Sequence, residues 1–173
     1  MILAHKIRLD PNNKQSTYLA KACGVARFAY NWALDRWKTQ YDAGEKVSEG
    51  KLRKELNAIK REEYPWMLEV TKCAPQLAIK DLGKAFQNFF AKRADFPKFK
   101  KKGQRDSFGL SNDQFSIKGK TIRIPNLGYV GMTEELRFDG KVMGNGLSPF
   151  KWKCPGPNLF TMAKAKLWEW IWV

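Results

Sequence analysis

Leu3-Ala4-His5-Lys6-Ile7-Arg8-Leu9 alternates apolar and polar residues, and Asp10-Pro11-Asn12-Asn13 follows at once with turn chemistry. The alternation is the period of a half-buried strand, and the Pro-Asn cluster ends it. From Lys14 the period changes. Leu19, Cys23, Ala26, Tyr30, Ala33, Leu34 and Trp37 recur at steps of three and four, which marks one apolar helical face. Gly24 is the expected corner between a short first helix and a longer second one ending near Gly44. A helix-turn-helix-like unit over residues 14–43 fits this pattern, and so does any hairpin of two helices.

Outward from there the helical reading continues. Ser48 is a good N-cap for a helix through Leu52, Leu56 and Ile59, which Tyr64-Pro65-Trp66 ends. Pro75 suits the first turn of a further helix striped by Leu77, Leu82, Ala85, Phe86, Phe89 and Phe90. At Asp95 the character changes. Phe96-Pro97-Lys98-Phe99-Lys100-Lys101-Lys102 interleaves aromatics with cations, which suits a chain lying along a phosphate backbone; a solvated face or a membrane surface is the plainer reading. Short strand-like runs follow at residues 114–117, 121–124, 129–130 and 136–138, punctuated by Gly119, Pro125, Gly128 and Gly140 as in a small barrel or sandwich. A strand, then helices, then strands implies an α+β fold in which a helical segment interrupts a β-domain.

Composition narrows the function. The 173 residues carry 32 Lys and Arg against 17 Asp and Glu, a net charge of +15. That excess attracts polyanions, nucleic acid first and acidic membrane surfaces second. No apolar run approaches the roughly 20 residues that span a bilayer, and the start has no signal-peptide pattern, so a cytoplasmic protein is expected. The cysteines, Cys23, Cys73 and Cys154, form no C-x-x-C pair, and His5 is the only histidine. A disulfide framework, a zinc finger and a histidine-based catalytic centre are therefore poorly supported, and no cofactor is expected in this chain.

Eight blocks in order resemble the N-terminal half of the TnpB-type family, the insertion-sequence OrfB proteins. They are Lys6-Ile7-Arg8-Leu9-x-Pro11, Gly24-Val25-Ala26-Arg27-Phe28-Ala29-Tyr30-Asn31, Tyr64-Pro65-Trp66-Met67-x-Glu69-Val70, and Leu82-x-x-Ala85-Phe86-x-Asn88-Phe89-Phe90. Phe96-Pro97-x-Phe99-Lys100, Ser107-Phe108, Ile124-Pro125-x-Leu127-Gly128-Tyr129-Val130 and Gly140-Lys141-Val142 complete the set. The resemblance implies a wedge-type β-domain from residues 1–10 plus about 95–145, interrupted by a helical recognition lobe over 11–94. It implies guide RNA and target DNA as partners, with base pairing reading the target and the protein reading a short adjacent motif. By position, Lys72, Gln76, Ser111 and Asn112 resemble the residues that face that motif, while Lys98, Lys100, Lys101, Lys102 and Arg27 suit nucleic-acid backbone. Arg27 and Asn31, four apart on one helix face, suit equally well a role in stitching the lobes together. Glu49 stands where the family often has an aromatic near the DNA. The family's nuclease, a RuvC-type centre with Mg²⁺ and a Cys-rich zinc module, has no counterpart in these blocks, so the chain is expected not to be an enzyme.

Beyond Gly144 the resemblance ends, and the chain closes on Leu167-Trp168-Glu169-Trp170-Ile171-Trp172-Val173. Read from the third base of each codon, Trp168-Glu169 forces Gly, Trp170-Ile171 forces Asp and Trp172-Val173 forces Gly. The intervening triplets allow Val-Gly-Val-Asp-Leu-Gly, similar to the family's first RuvC motif. Residues 146–173 are thus expected to be an aberrant, frameshifted tail never selected to fold; an alternating strand is the plain alternative. Three functions compete: an RNA- and DNA-binding fragment, a helix-turn-helix DNA-binding regulator, and a non-functional decayed transposon product.

Overall fold

The computed structural model describes residues 2–104, 106–137, 150–154 and 159–165, with the side chains of 2–6, 112 and the last two segments left aside. Strand β1, Ile2–Asp10, is followed by helices α1, Asn13–Asp42, α2, Glu49–Ile59, and α3, Cys73–Phe90. Strands β2, Asp106–Leu110, β3, Ser116–Lys118, β4, Thr121–Ile124, β5, Gly128–Met132, β6, Phe150–Cys154, and β7, Leu159–Ala165, come after the helices. The α+β class is as expected. Short 3₁₀ turns occupy Pro65–Glu69 and Asn112–Gln114.

All described strand pairs are antiparallel and form one sheet in the order β2-β6-β7-β1-β5-β4-β3. β1 is its hinge: Leu9 lies opposite Met132 of β5, while Ile2 to Arg8 pair with β7. The sheet thus joins strands from before and after the helices. β2 and β3 stand at its two ends, so the described pairings do not close a barrel.

Two local expectations need correcting. The corner at Gly24 does not form, because α1 runs unbroken for 30 residues, a rod of about 45 Å. The apolar face passes straight through Gly24, and burial of Leu19, Cys23, Ala26, Ala29, Ala33 and Leu34 outweighs the roughly 1 kcal/mol that glycine costs a helix. Gln114 belongs to a 3₁₀ turn rather than a strand, and Leu136-Arg137 is not a strand; Phe138 lies outside the described residues. Residues 150–154 and 159–165, within the stretch 146–173 expected to be an aberrant tail, form β6 and β7 of the sheet. Residues 166–173, with the terminal tryptophans, lie outside the described residues, as do Gly140 to Val142.

Capping sets the helix starts. Asn12 and Gln15 form a reciprocal capping box on α1, and the Ser48 side chain accepts from the Lys51 N–H as the α2 N-cap. α1 and α3 run side by side in the same direction, since Tyr18 reaches Thr71 and Trp37 stacks on Phe86. Ala22, Ala26, Ala29 and Ala33 on α1, and Ala74 and Ala78 on α3, are all buried. Ile7, Leu9, Leu19, Leu34, Leu52, Ile79, Leu82, Leu110 and Ile122 are fully buried and make one core between these helices and the sheet. Cys23 and Cys73 are buried within it.

Candidate nucleic-acid interface

The first turn of α3 lies against the turn after β2. The Cys73 Sγ is 3.3 Å from the Ser111 Oγ, and the charge of neighbouring Lys72 acts on Asp113. Lys72 is exposed at the helix start and Gln76 is half-buried one turn on. Ser111 is half-buried, and Asn112 opens the 3₁₀ turn. A shallow cleft of about 310 Å³ opens beside Lys72, lined by Lys60, Lys72, Pro75, Gln114 and Asn126 among others. A second depression continues past Asp113, Gln114 and Arg123. Of the four expected motif-facing residues, Lys72 lines the first cleft, while Gln76, Ser111 and Asn112 line neither.

The same surface contains groups the sequence pattern did not single out. Asp113 is exposed, and its carboxyl is held below the usual range by hydrogen bonds from Ser111 and Gln114 first, with the Lys72 charge a smaller cause. An ionised carboxylate repels phosphate but accepts from an exocyclic amine such as that of cytosine. Lys60 caps α2, whereas Arg123 and Asn126 belong to β4 and the turn after it. No spacing along the chain relates Lys60 to the other two, which is why reading in sequence did not group them.

Tyr18 braces this surface from below. Its hydroxyl donates to the Pro125 carbonyl at 2.8 Å and accepts from the Thr71 N–H at 2.9 Å, tying α1 to both walls of the cleft. Burial pushes its pKa up; the Thr71 hydrogen bond acts weakly the other way.

The second expected surface is the basic segment. Lys98, Lys101 and Lys102 are exposed. Lys100 sits with its ammonium 3.9 Å from the centre of the Tyr30 ring, a cation–π contact. Its backbone is clamped by Asn31, whose Nδ2 donates to the Lys100 carbonyl at 3.0 Å and whose Oδ1 accepts from the Lys100 N–H at 2.8 Å. Arg27 is drawn inward. Its Nη1 donates to both carboxylate oxygens of Asp106 at 2.6 Å, so of its two expected roles the structure displays the stitching one. Together Arg27 and Asn31 fix the path of residues 100–106 along α1. Glu49 lies in the first turn of α2 with its side chain packed over Gly83 of α3.

Among the described residues no helix is long and apolar enough to cross a membrane. Residues 1–46 match the helix-turn-helix domain model of the IS605 OrfB family. In this chain that match covers a strand and one continuous helix. The chain is 34% identical over 145 residues to InsQ of Escherichia coli (strain K12), named as a candidate RNA-guided DNA endonuclease; the match covers 80% of this chain and 35% of that protein. It is 35% identical over 124 residues to a protein of Streptomyces pristinaespiralis with the same description, covering 66% of this chain and 31% of that one. The chain thus spans about a third of the length of these relatives. On the family match at its start and the similarity across most of its length, the chain belongs to the TnpB-type, OrfB family, in its amino-terminal portion.

Proposed function

We propose that this chain grips a guide RNA and the DNA beside its target, as the binding portion of an RNA-guided nuclease, and itself carries no cleavage chemistry. The observation that carries the reading is the clamped basic segment. Asn31 holds Lys100 by two backbone hydrogen bonds while Lys98, Lys101 and Lys102 stay exposed, so the lysines form a fixed rail rather than a loose tail. A fixed row of cations suits the regular spacing of phosphates. The names of the relatives supply the class of partner.

In this reading residues 1–10 and about 95–145 act as the wedge-type domain and 11–94 as the recognition lobe. Lys72, Gln76, Ser111 and Asn112 face the target-adjacent motif, with Lys and Gln suited to base edges and the short polar groups to bases or phosphates. A helix-turn-helix regulator that reads duplex DNA alone is the second reading. The family model's description favours it, but the unbroken α1 offers no separate recognition helix within residues 13–42.

The test is binding of the purified chain to a structured RNA across a range of salt. Affinity is expected to fall linearly in log–log form, and replacing Lys98, Lys100, Lys101 and Lys102 by Ala together should reduce the slope by about 3. A salt-insensitive interaction, or none, overturns the reading. A footprint on duplex DNA without RNA would favour the regulator.

A further inference from the structure

Where α1 and α3 end side by side, their last turns enclose an aromatic cleft of about 320 Å³, near the lower limit of about 300 Å³ typical of small-ligand sites. Its floor is the parallel stack of Trp37 on Phe86, with ring centres 4.2 Å apart and planes 14° from coplanar. Phe89 and Phe96 close one side edge to face at 5.3 Å. Two rings stand clear of the core: Tyr41 is 61% exposed and Phe90 57%. An aromatic side chain that only served the core would be covered; these two are not.

Lys38 and Asp42 bring one charge of each sign to the lining, and the chain that leaves α3 is richer in cations than in acids. The Lys38 ammonium lies 5.3 Å from the centre of the Phe96 ring and 5.1 Å from that of Phe99, at the mouth. Lys92 and Arg93 follow α3 directly, and Lys98 continues toward the basic segment. Asp42 and Asp95 are the acids of this stretch. Both helices point their C-terminal ends here, and the partial negative charge of those ends disfavours an anion inside the cleft. The walls therefore favour a flat apolar ring inside, and the rim favours anionic charge outside. An apolar helix from a protein partner would satisfy the walls but leave the rim without counter-charge.

We infer that this cleft takes an unpaired nucleobase of an RNA strand, stacked against Phe90 and Tyr41, with the flanking phosphates on Lys38, Lys92 and Lys98. RNA is the source because its loops and ends present unstacked bases, whereas duplex DNA keeps them paired. The inference rests on the RNA-binding reading above and adds a specific base-stacking site to it.

The experiment uses the full chain and two probes, a single-stranded oligouridylate of about ten nucleotides and an RNA duplex of the same length. Phe90→Ala and Tyr41→Ala should each weaken oligouridylate binding, by about 5-fold to about 100-fold, and leave duplex binding within about 2-fold. Phe90→Tyr, which keeps the ring, should restore single-strand binding. Unchanged single-strand affinity in both alanine variants overturns the inference alone and leaves the RNA-binding reading in place. Equal weakening on both probes also overturns it, since stacking does not act on a closed duplex. If the unaltered chain binds neither probe, the RNA-binding reading falls and the cleft's role with it.

Discussion

Arg27 on α1 holds both carboxylate oxygens of Asp106 on β2 at 2.6 Å, and the second of those oxygens also accepts from the Gly103 N–H at 2.9 Å. Asp106 is 9% exposed, so this carboxylate depends on its partners rather than on water. Arg27→Ala should cost on the order of 3 kcal/mol, because it strands a nearly buried charge. Replacing both by residues of similar volume, Arg27→Met with Asp106→Leu, should cost less than the single alanine change. Denaturant melts of these two variants, with Arg27→Met and Asp106→Leu each alone, check this; additive losses would show that the two residues do not act as a pair.

Two glycines should respond in opposite directions to alanine. At Gly24 the nearest atom to an added Cβ is the Arg27 Nη2 at 4.0 Å, ordinary contact distance. Gly24→Ala should therefore stabilise the protein by about 0.5–1 kcal/mol through helix propensity. A glycine at a true corner with positive φ would lose stability instead, so the same melt distinguishes a continuous α1 from a bent one. At Gly83 an added Cβ would lie 2.9 Å from the Glu49 Oε2 and 3.1 Å from its Cβ. Gly83→Ala should cost about 1–3 kcal/mol by overpacking, with Glu49→Ala restoring part of it.

The contrast at Gly24 also shows what could be read along the chain. Periodicity located the apolar face of α1, the Ser48 cap and the first-turn Pro75, because each is a short-range preference written within a few residues. It could not decide whether Gly24 bends the chain. That is settled by α3, which runs beside α1 from the Tyr18–Thr71 hydrogen bond to the Trp37–Phe86 stack. The rail at Lys98–Lys102 was legible from composition, but its clamp by Asn31 is a contact across 69 positions. Arg27 and Asn31 could be placed on one helix face; only the position of β2 and of residue 100 decided what that face meets. β2 itself carries Ser107-Phe108-Gly109-Leu110 with three buried residues in succession, so it lacks the alternation that marks a half-buried strand.

High pH should loosen the brace under the α3 cleft. Tyr18 and Tyr30 both have pKa values raised above 10.0, chiefly by burial, so their neutral forms are favoured in the folded state. The unfolded chain then releases these protons first. Stability from both tyrosines is fully present below pH 10 and is lost as pH rises from there through their raised values. Tyr18→Phe should remove part of this alkaline loss. It should also cost about 1–3 kcal/mol at neutral pH, since the Thr71 N–H and Pro125 carbonyl lose their partner. An alkaline melt with the same slope in the variant would show that Tyr18 does not contribute to it.

Both long helices end in the same hydrogen-bonded motif, but with different residues at its left-handed position. After α1 that residue is Gly44, with φ 78°, and the N–H groups of Gly44 and Glu45 donate to Tyr41 and Gln40. After α3 it is Lys92, with φ 55°, and those of Lys92 and Arg93 donate to Phe89 and Asn88. A lysine there costs roughly 1 kcal/mol relative to glycine. Lys92→Gly should therefore raise the melting temperature by about 2–4 °C, the shift that about 1 kcal/mol produces in a chain of this size. It should also lower the salt slope of RNA binding by about 0.7, the contribution of one phosphate contact on a single strand. A variant that is more stable yet weaker in binding would mean that the strained cation serves the ligand rather than the fold. Greater stability with an unchanged slope would place Lys92 outside the interface.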